Sequence, residues 1–503
     1  MKTYNLKKGL TLLMASVLLF SCTQFDDLTD DPNKATSVPP SMLLSEVLSV
    51  VNNVGGEGPW SDAQRDNQFW VISFDYYGNQ DYNWGAINSY RYKTLANVIA
   101  MEKEAKGLDN QDKYEALAKF FKAYFYDYMT KRVGDIPLSE SLKADASPAI
   151  TQPKYDSQKD IYTAILDLLE ASNDQITTAK AQVGTSGILG DFFFNGDLDK
   201  WQRTINSFHL RVLINLSKRN SELNVASKFN AMISNPSKYP LLRGIEDNMV
   251  RNFADEQGNR YELNPSNYGF NRNRNIMGAT YLNLLKNNND PRIYIVADPA
   301  AFYYDKNDPL NLKAYIGAKT GDDQGQMQTD SDAGKYSYPN EYRYYSNFKG
   351  EPYIQIGYSE QEFTIAEAIN RGWITGGDAE SHYLNGIKAS MQFYGVKQAD
   401  IDTFLLNTNV VYKGNNGTGL NQILTQKYIA FFNNSGRESY FNYRRTGVPT
   451  FDIGPANNNG AKIPLRWKYP VSEFENNTAN VKSALSSQFG GSDDINAAMW
   501  LIK

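Results

Sequence analysis

The sequence predicts a mostly α-helical protein, one large domain in which a scaffold of helical hairpins is interrupted by long, irregular, loop-rich insertions. Three observations carry this. Apolar residues recur every three or four positions in several segments, the spacing of a helix face. No segment alternates strongly enough to form a central sheet. Polar, Tyr- and Asn-rich stretches lie between the helical segments, roughly at 52–92, 257–360, 405–420 and 452–463. Length alone, 503 residues, accommodates about three domains. Helical patterns lie on both sides of the longest polar stretch, however, so the chain does not divide cleanly.

Taken in order, segment 112–132 sets Leu117, Phe120, Phe121, Tyr124 and Tyr128 at helical spacing, with Gly134 as a stop. Ser157 and Asp160 form a Ser-x-x-Asp start before Ile161, Ile165, Leu168 and Leu169. Trp201, Ile205, Phe208, Val212 and Leu216 repeat through 199–219, the strongest pattern in the chain. Phe363, Ala366 and Ile369 line a helix that stops near Gly372, and Tyr383, Ile387, Met391 and Tyr394 line the next. Ile423, Leu424, Tyr428, Phe431 and Phe432 form a last series, closed by Asn433-Asn434. Helices joined by short turns favour hairpin packing.

Composition removes several function classes. Charged residues make up 21% and hydrophobic ones 41%, too apolar for disorder and too polar for a multi-span membrane protein. Lys and Arg number 51 against 56 Asp and Glu, which leaves no basic field for nucleic acid. Two histidines, His209 and His382, and one cysteine, Cys22, exclude a Cys/His zinc set, an internal disulfide and a His-Glu-x-x-His protease. Aromatic residues are abundant: 34 Tyr, 25 Phe and 7 Trp.

The N-terminal residues predict the compartment. Lys2, Lys7 and Lys8 precede an apolar run from Leu10 to Phe20. That run is about eleven residues, the length of a signal-peptide core and short of the ~18 needed to span a bilayer. It ends in Leu19-Phe20-Ser21-Cys22, which resembles a bacterial lipobox. In that pattern the cysteine is acylated, palmitate being one such chain, and becomes the mature N-terminus; an ordinary secretory signal with a chance cysteine is the alternative. The expected layout is a lipoprotein signal peptide at 1–21, a lipidated N-terminus and acidic, flexible tether at 22–40, and the globular domain at 41–503. The protein would then be anchored to a membrane without spanning it.

A series of short motifs runs along the chain. It opens with Asp31-Pro32-Asn33 and Val38-Pro39-Pro40. Thr130-Lys131-Arg132-Val133-Gly134-Asp135-Ile136-Pro137, then Tyr155-Asp156-Ser157 and Gly196-Asp197-Leu198-Asp199-Lys200-Trp201, come next. Asp290-Pro291-Arg292, Ile365-Ala366-Glu367-Ala368, Arg371-Gly372-Trp373, Gln426-Lys427-Tyr428, Arg444-Arg445-Thr446-Gly447 and Arg466-Trp467-Lys468-Tyr469-Pro470 follow. Each piece is weak alone, but in this order they resemble the SusD/RagB family in its SusD-like second branch, the first being similar to its mature N-terminus and the next three to its early loops and helix starts. The resemblance implies a tetratricopeptide-like helical scaffold and a nutrient-binding outer-membrane lipoprotein exposed at the surface of a Gram-negative cell. It further implies a SusC-like TonB-dependent transporter as partner, an oligosaccharide or peptide as ligand, and no catalysis. The polar loops match no family segment residue by residue, so no ligand residue is carried over.

Candidate ligand residues therefore come from chemistry. Sugar rings stack C–H faces on aromatic planes, and their hydroxyls pair with amides and carboxylates. Trp70, Tyr76, Tyr77, Asn79, Tyr82, Asn83 and Trp84 supply both within one short stretch, beside Phe74 and Asp81. Tyr342, Tyr344 and Tyr345, with Tyr336, Tyr338 and Phe348, form a second aromatic cluster. The competing account is that these rings pack the undersides of long loops, as most are expected to do. His209 reads as a packed helix histidine, His382 as surface polar, and Arg444-Arg445 as partners for carboxylates or carbonyls. No cofactor is expected; Asp322-Asp323 with Asp330-Ser331-Asp332 offers oxygen ligands for calcium but lacks EF-hand spacing. Two other classes stay open: a surface-anchored glycan hydrolase, since a glycosidase needs only two placed carboxylates, and a helical-repeat structural adaptor.

Overall fold

A computed structural model describes residues 37–53, 55–74, 76, 78–183 and 187–503. Cys22, the signal-like segment, most of the expected tether and Tyr77 lie outside the described residues. The longer helices that build the scaffold are α1 (Pro40–Asn52), α2 (Tyr92–Glu104), α3 (Gln111–Val133), α4 (Gln158–Val183) and α5 (Leu198–Asn215). They continue, after the long polar stretch, with α6 (Tyr358–Asn370), α7 (Ala379–Tyr394), α8 (Gly417–Ala430) and α9 (Glu438–Thr446). Consecutive helices pack on one another, α3 on α4 and α6 on α7 most extensively. Among the described residues no helix is long and apolar enough to cross a membrane.

Local chemistry sets the boundaries. α3 stops at Gly134, whose φ of 102° favours glycine; a Cβ there would also displace the Gln488 carboxamide, whose Oε1 it would meet at 2.2 Å. At the start of α4, the Ser157 hydroxyl accepts from the Asp160 amide at 3.2 Å and donates to its carboxylate at 2.6 Å. Asp197 caps α5 by accepting from the Lys200 amide at 3.0 Å. The periodic pattern of α5 suggests one apolar face, yet every residue from Trp201 to Asn215 is buried. Helices on several sides enclose it, and several of its polar groups find internal partners: Arg211 lies 2.6 Å from Glu360, and Arg203 lies 3.0 Å from Asp247. His209 on this helix is buried, and among the described residues neither ring nitrogen has a hydrogen-bond partner. Burial lowers its pKa to about 4 against the pull of Glu170, so it is neutral near pH 7. His382 is not simply surface polar; its Nδ1 lies 2.9 Å from the buried carboxylate of Glu362.

The strands are short. β1 (Trp70–Ile72) pairs antiparallel with β3 (Asn275–Met277), Trp70 opposite Met277 and Ile72 opposite Asn275. β2 (Met249–Arg251) pairs antiparallel with β4 (Tyr353–Ile356), with an irregularity between Met249 and Val250. The polar stretch 257–360 is thus not bare loop: it holds β3, β4 and helices at Ala279–Asn287 and Gln324–Asp332.

Two large cores result. One lies among α1 to α5 and the C-terminal residues, around Leu48, Leu117, Phe121, Trp201 and Leu213. The other is dominated by rings, among them Trp60, Phe69, Tyr281, Tyr344, Phe432 and Tyr440. Tyr281 stacks on Phe432 with centroids 4.4 Å apart and planes 4° from parallel. Many tyrosines here also hold backbone. Tyr428 donates to Asn67 O (2.9 Å), Tyr440 to Pro464 O (2.6 Å), Tyr394 to Phe432 O (2.8 Å) and Tyr383 to Val410 O (2.9 Å). These carbonyls lie in turns and irregular segments with no ladder to satisfy them.

Charged contacts tie the halves together. Lys131 on α3 lies 2.7 Å from Asp127 and 2.9 Å from Glu438 on α9. Arg445 on α9 reaches Glu367 on α6 at 2.9 Å, and Arg444 donates to Leu465 O at 2.9 Å and to Lys131 O, the structural roles expected for this pair.

Candidate functional site

The segment from β1 to α2 is irregular, and distant parts of the chain hold it in place. The Ile72 amide donates to Gln80 Oε1 at 3.0 Å. Asp81 accepts from Asn458 twice, at its backbone oxygen (2.7 Å) and at its carboxylate (2.9 Å). Gly85 and Ile87 exchange backbone hydrogen bonds with Lys468. Tyr82 takes a φ of 62°; its hydroxyl donates to Asp452 O and accepts from Gln68 Nε2 at 2.7 Å. Burial pushes the Tyr82 phenol well above its ordinary pKa, with the Asp452 carboxylate adding to the effect.

These ties shape an open cleft of about 790 Å³, its mouth included. One wall is the run from Asn79 to Ala86, and the facing side brings Arg65, Asp66, Thr320, Arg437 and Trp467. Trp84 stacks on Trp467 with centroids 4.3 Å apart and planes 19° from parallel, and it meets Tyr440 edge-on at 5.0 Å. Both indoles are half-buried. Arg437 lies over the Trp467 ring at 5.2 Å while its guanidinium contacts Glu57 and Asp66, the latter at 2.6 Å. Burial raises the Asp66 pKa, and Arg437 opposes it. Arg65 contacts Asp62. The cations that line the cleft are therefore met by carboxylates. What it offers a ligand is an indole platform flanked by amides, Asn79, Gln80 and Asn83, and by the acceptor Asp81. That combination suits neutral, hydroxyl-bearing rings.

The structure sorts the sequence candidates. Asn79, Tyr82, Asn83 and Trp84 come together in the cleft wall, although Tyr82 presents little of its ring. Tyr76 is 86% exposed and Tyr342 85% exposed, and neither lines the cleft. Trp70, Tyr344 and Tyr345 are buried at 5% or less, so the expectation that they face a ligand is replaced by packing. Trp70 lies 6.4 Å from Trp60, Tyr344 meets Trp60 edge-on at 5.0 Å, and Tyr345 meets Tyr268 at 5.1 Å. Tyr77 is outside the described residues. Sequence reasoning missed Trp467, Arg437, Arg65 and Asp66 as site residues. Trp467 was visible within a family-like motif, but nothing in the sequence places it against Trp84. The acidic segment considered for calcium is used otherwise. Asp323 caps the Gln324–Asp332 helix, and Asp330 lies 2.7 Å from Lys335. Among the described residues no three His, Cys, Asp or Glu side chains gather as a metal site.

Comparison with known proteins agrees with this architecture. The family model described as SusD-like, starch-binding and associating with the outer membrane matches residues 32–470. A SusD homologue from Bacteroides fragilis is 29% identical with a TM-score of 0.82, covering 93% of this chain and 100% of its own. A second B. fragilis SusD homologue is 30% identical with a TM-score of 0.79 over the same shares. A chitin-binding SusD homologue from Flavobacterium johnsoniae shares the fold at 20% identity, with a TM-score of 0.73 over 92% of this chain and 98% of its own. No curated protein matches the chain.

Proposed function

The chain belongs to the SusD-like family, and from that premise we propose that it is a surface nutrient-binding lipoprotein that captures a neutral oligosaccharide in the Trp84–Trp467 cleft. In this reading Cys22 carries the lipid that holds it at the outer membrane, and a SusC-like TonB-dependent transporter receives the ligand. The protein itself performs no chemistry. The observation that carries the reading is the half-buried indole stack set among amides and a carboxylate, with the neighbouring cations neutralised. A saccharide needs an apolar face and many weak directional partners rather than a strong net field. The starch-binding description of the family and the chitin-binding relative agree with a glycan in kind.

The test is isothermal titration of the full chain against neutral oligosaccharides and peptides, with analysis of the products. Saturable binding of a glycan without turnover is expected. Hydrolysis would make the protein a hydrolase, binding of peptides alone would change the ligand class, and binding of neither would favour an adaptor. For the anchor, Cys22→Ala is expected to release the protein from the membrane fraction; retention at the normal level would rule the anchor out.

A further inference from the structure

A second depression lies across one shared wall from the cleft. It is bounded by the Ala279–Asn287 helix, by α8 and by the turn that follows α9, and encloses about 860 Å³ with its mouth. Gly447 ends α9 in the left-handed region (φ 75°), which turns the chain across this opening. Its apolar lining is Leu284, Val448 and Pro449. Its rim is neutral and hydrogen-bonding, with Thr280, Asn283, Asn421, Thr425 and Thr450, and Asp452 is the one charged residue among those that line it. No lysine or arginine does so, which disfavours anions.

Several of these rim groups have capacity left over. Asn421 Oδ1 accepts from Thr425 at 3.2 Å, which leaves its amide nitrogen without a partner among the described residues. Asn283 and Thr450 are exposed. The wall itself is rigidly held. Gln68, buried and at φ 60°, donates to Tyr82 (2.7 Å) and to Asp452 O (2.8 Å). Its oxygen accepts from the Asp452 amide (2.8 Å) and from Thr280 (2.6 Å). One carboxamide thus fixes Tyr82, which lines the cleft, together with Thr280 and Asp452, which line the depression.

We propose that this groove is a second contact site for the same class of neutral, hydroxylated glycan. Sugar C–H faces lie on Leu284, Val448 and Pro449, and hydroxyls pair with Asn283, Asn421 and Thr450. The inference rests on the glycan reading of the cleft but is read out separately from it. Hydrogen exchange of the full chain is followed with maltoheptaose and with chitohexaose as probes, in peptides covering 447–452 for the groove and 79–86 for the cleft. Slowed exchange in 447–452 is expected with the probe that binds. It should persist in Trp84→Ala and disappear in the Asn283→Ala/Asn421→Ala double variant while 79–86 stays protected. Titrated affinity for the oligomer should fall about fivefold in that double variant, the scale of one or two lost hydrogen bonds. Protection confined to 79–86 overturns the groove and leaves the cleft reading standing. Protection confined to 447–452 supports the groove and overturns the cleft. No protection in either segment with either probe overturns both.

Discussion

The two halves of the molecule solve the same problem with different chemistry. In the scaffold of α1 to α5 the backbone satisfies itself through helical hydrogen bonds, so the core residues need only fill space, as Leu117, Leu213 and Ile165 do. In the ring-rich half the backbone runs through turns and irregular segments, and its carbonyls need outside donors. Tyrosine supplies a donor and a large apolar body in one side chain. Tyr428, Tyr440, Tyr394 and Tyr383 each use both. Thus part of the tyrosine excess holds a loop-rich region in place, and among the described residues Tyr82 is the one tyrosine that lines the cleft.

The largest test of this contrast cuts the link between the halves. Lys131→Met leaves Asp127 and Glu438 buried and facing each other's charge, and should cost about 3–5 kcal/mol. If the halves are separate cooperative units, the calorimetric melt of this variant also splits into two transitions; a single transition at the wild-type temperature would mean the link carries nothing.

Next, the buried ion pairs of α6 and α9 and the ring-rich core should fail at opposite extremes of pH. Burial alone would raise Glu438 and Glu367. Lys131 and Arg211 pull Glu438 down to about 2, and Arg445, Arg371 and Lys427 do the same for Glu367. Both values lie below the ordinary carboxylate range, so the stability they contribute is present above about pH 4.5 and lost as pH falls towards 2. The tyrosines behave in the opposite sense. Burial raises the phenols of Tyr281, Tyr344 and Tyr428, so their contribution is intact below about pH 10 and drains away above it. In alkaline titration, tyrosinate absorption from these buried rings should appear cooperatively with unfolding; gradual ionisation of those rings in a still-folded chain would contradict the packing described.

A smaller effect is expected for Tyr428→Phe, which removes only the hydroxyl bonded to Asn67 O. The cost should be about 1–2 kcal/mol, with faster hydrogen exchange around residue 67. An unchanged melt would show that the ring alone matters. The smallest stability change belongs to the cleft. Trp84→Ala should lower glycan affinity about tenfold while shifting stability by less than ~1.5 kcal/mol, since the ring is only half-buried. A larger loss of stability would make Trp84 part of the ring-rich core.

The scaffold was legible because helix periodicity is a local signal. The patterns at 112–132, 199–219 and 383–394 fall within α3, across α5 and on α7. α1, α2 and the late Thr478–Phe489 lie outside the segments predicted as helices. The cleft was half legible. Its first wall is contiguous, so Asn79, Asn83 and Trp84 stood out together, whereas Trp467 and Arg437 arrive through tertiary folding that no local spacing encodes. Trp70, Tyr344 and Tyr345 misled for a physical reason: aromatic density marks a place where rings meet but not which face of the backbone they leave from. The offset of two and three residues between exposed Tyr342 and buried Tyr344 and Tyr345 is set by a five-residue helix, Glu341–Tyr345, capped by Asn340.

The indole pair has one more property. Two chromophores held 4.3 Å apart and nearly parallel couple their electronic transitions. The pair should therefore give a circular dichroism signal in the indole band that neither ring gives alone. A ligand that wedges against or tilts either ring would alter that signal without any label. The proposed capture site thus contains its own optical reporter, with which ligand binding would be followed in the unmodified protein.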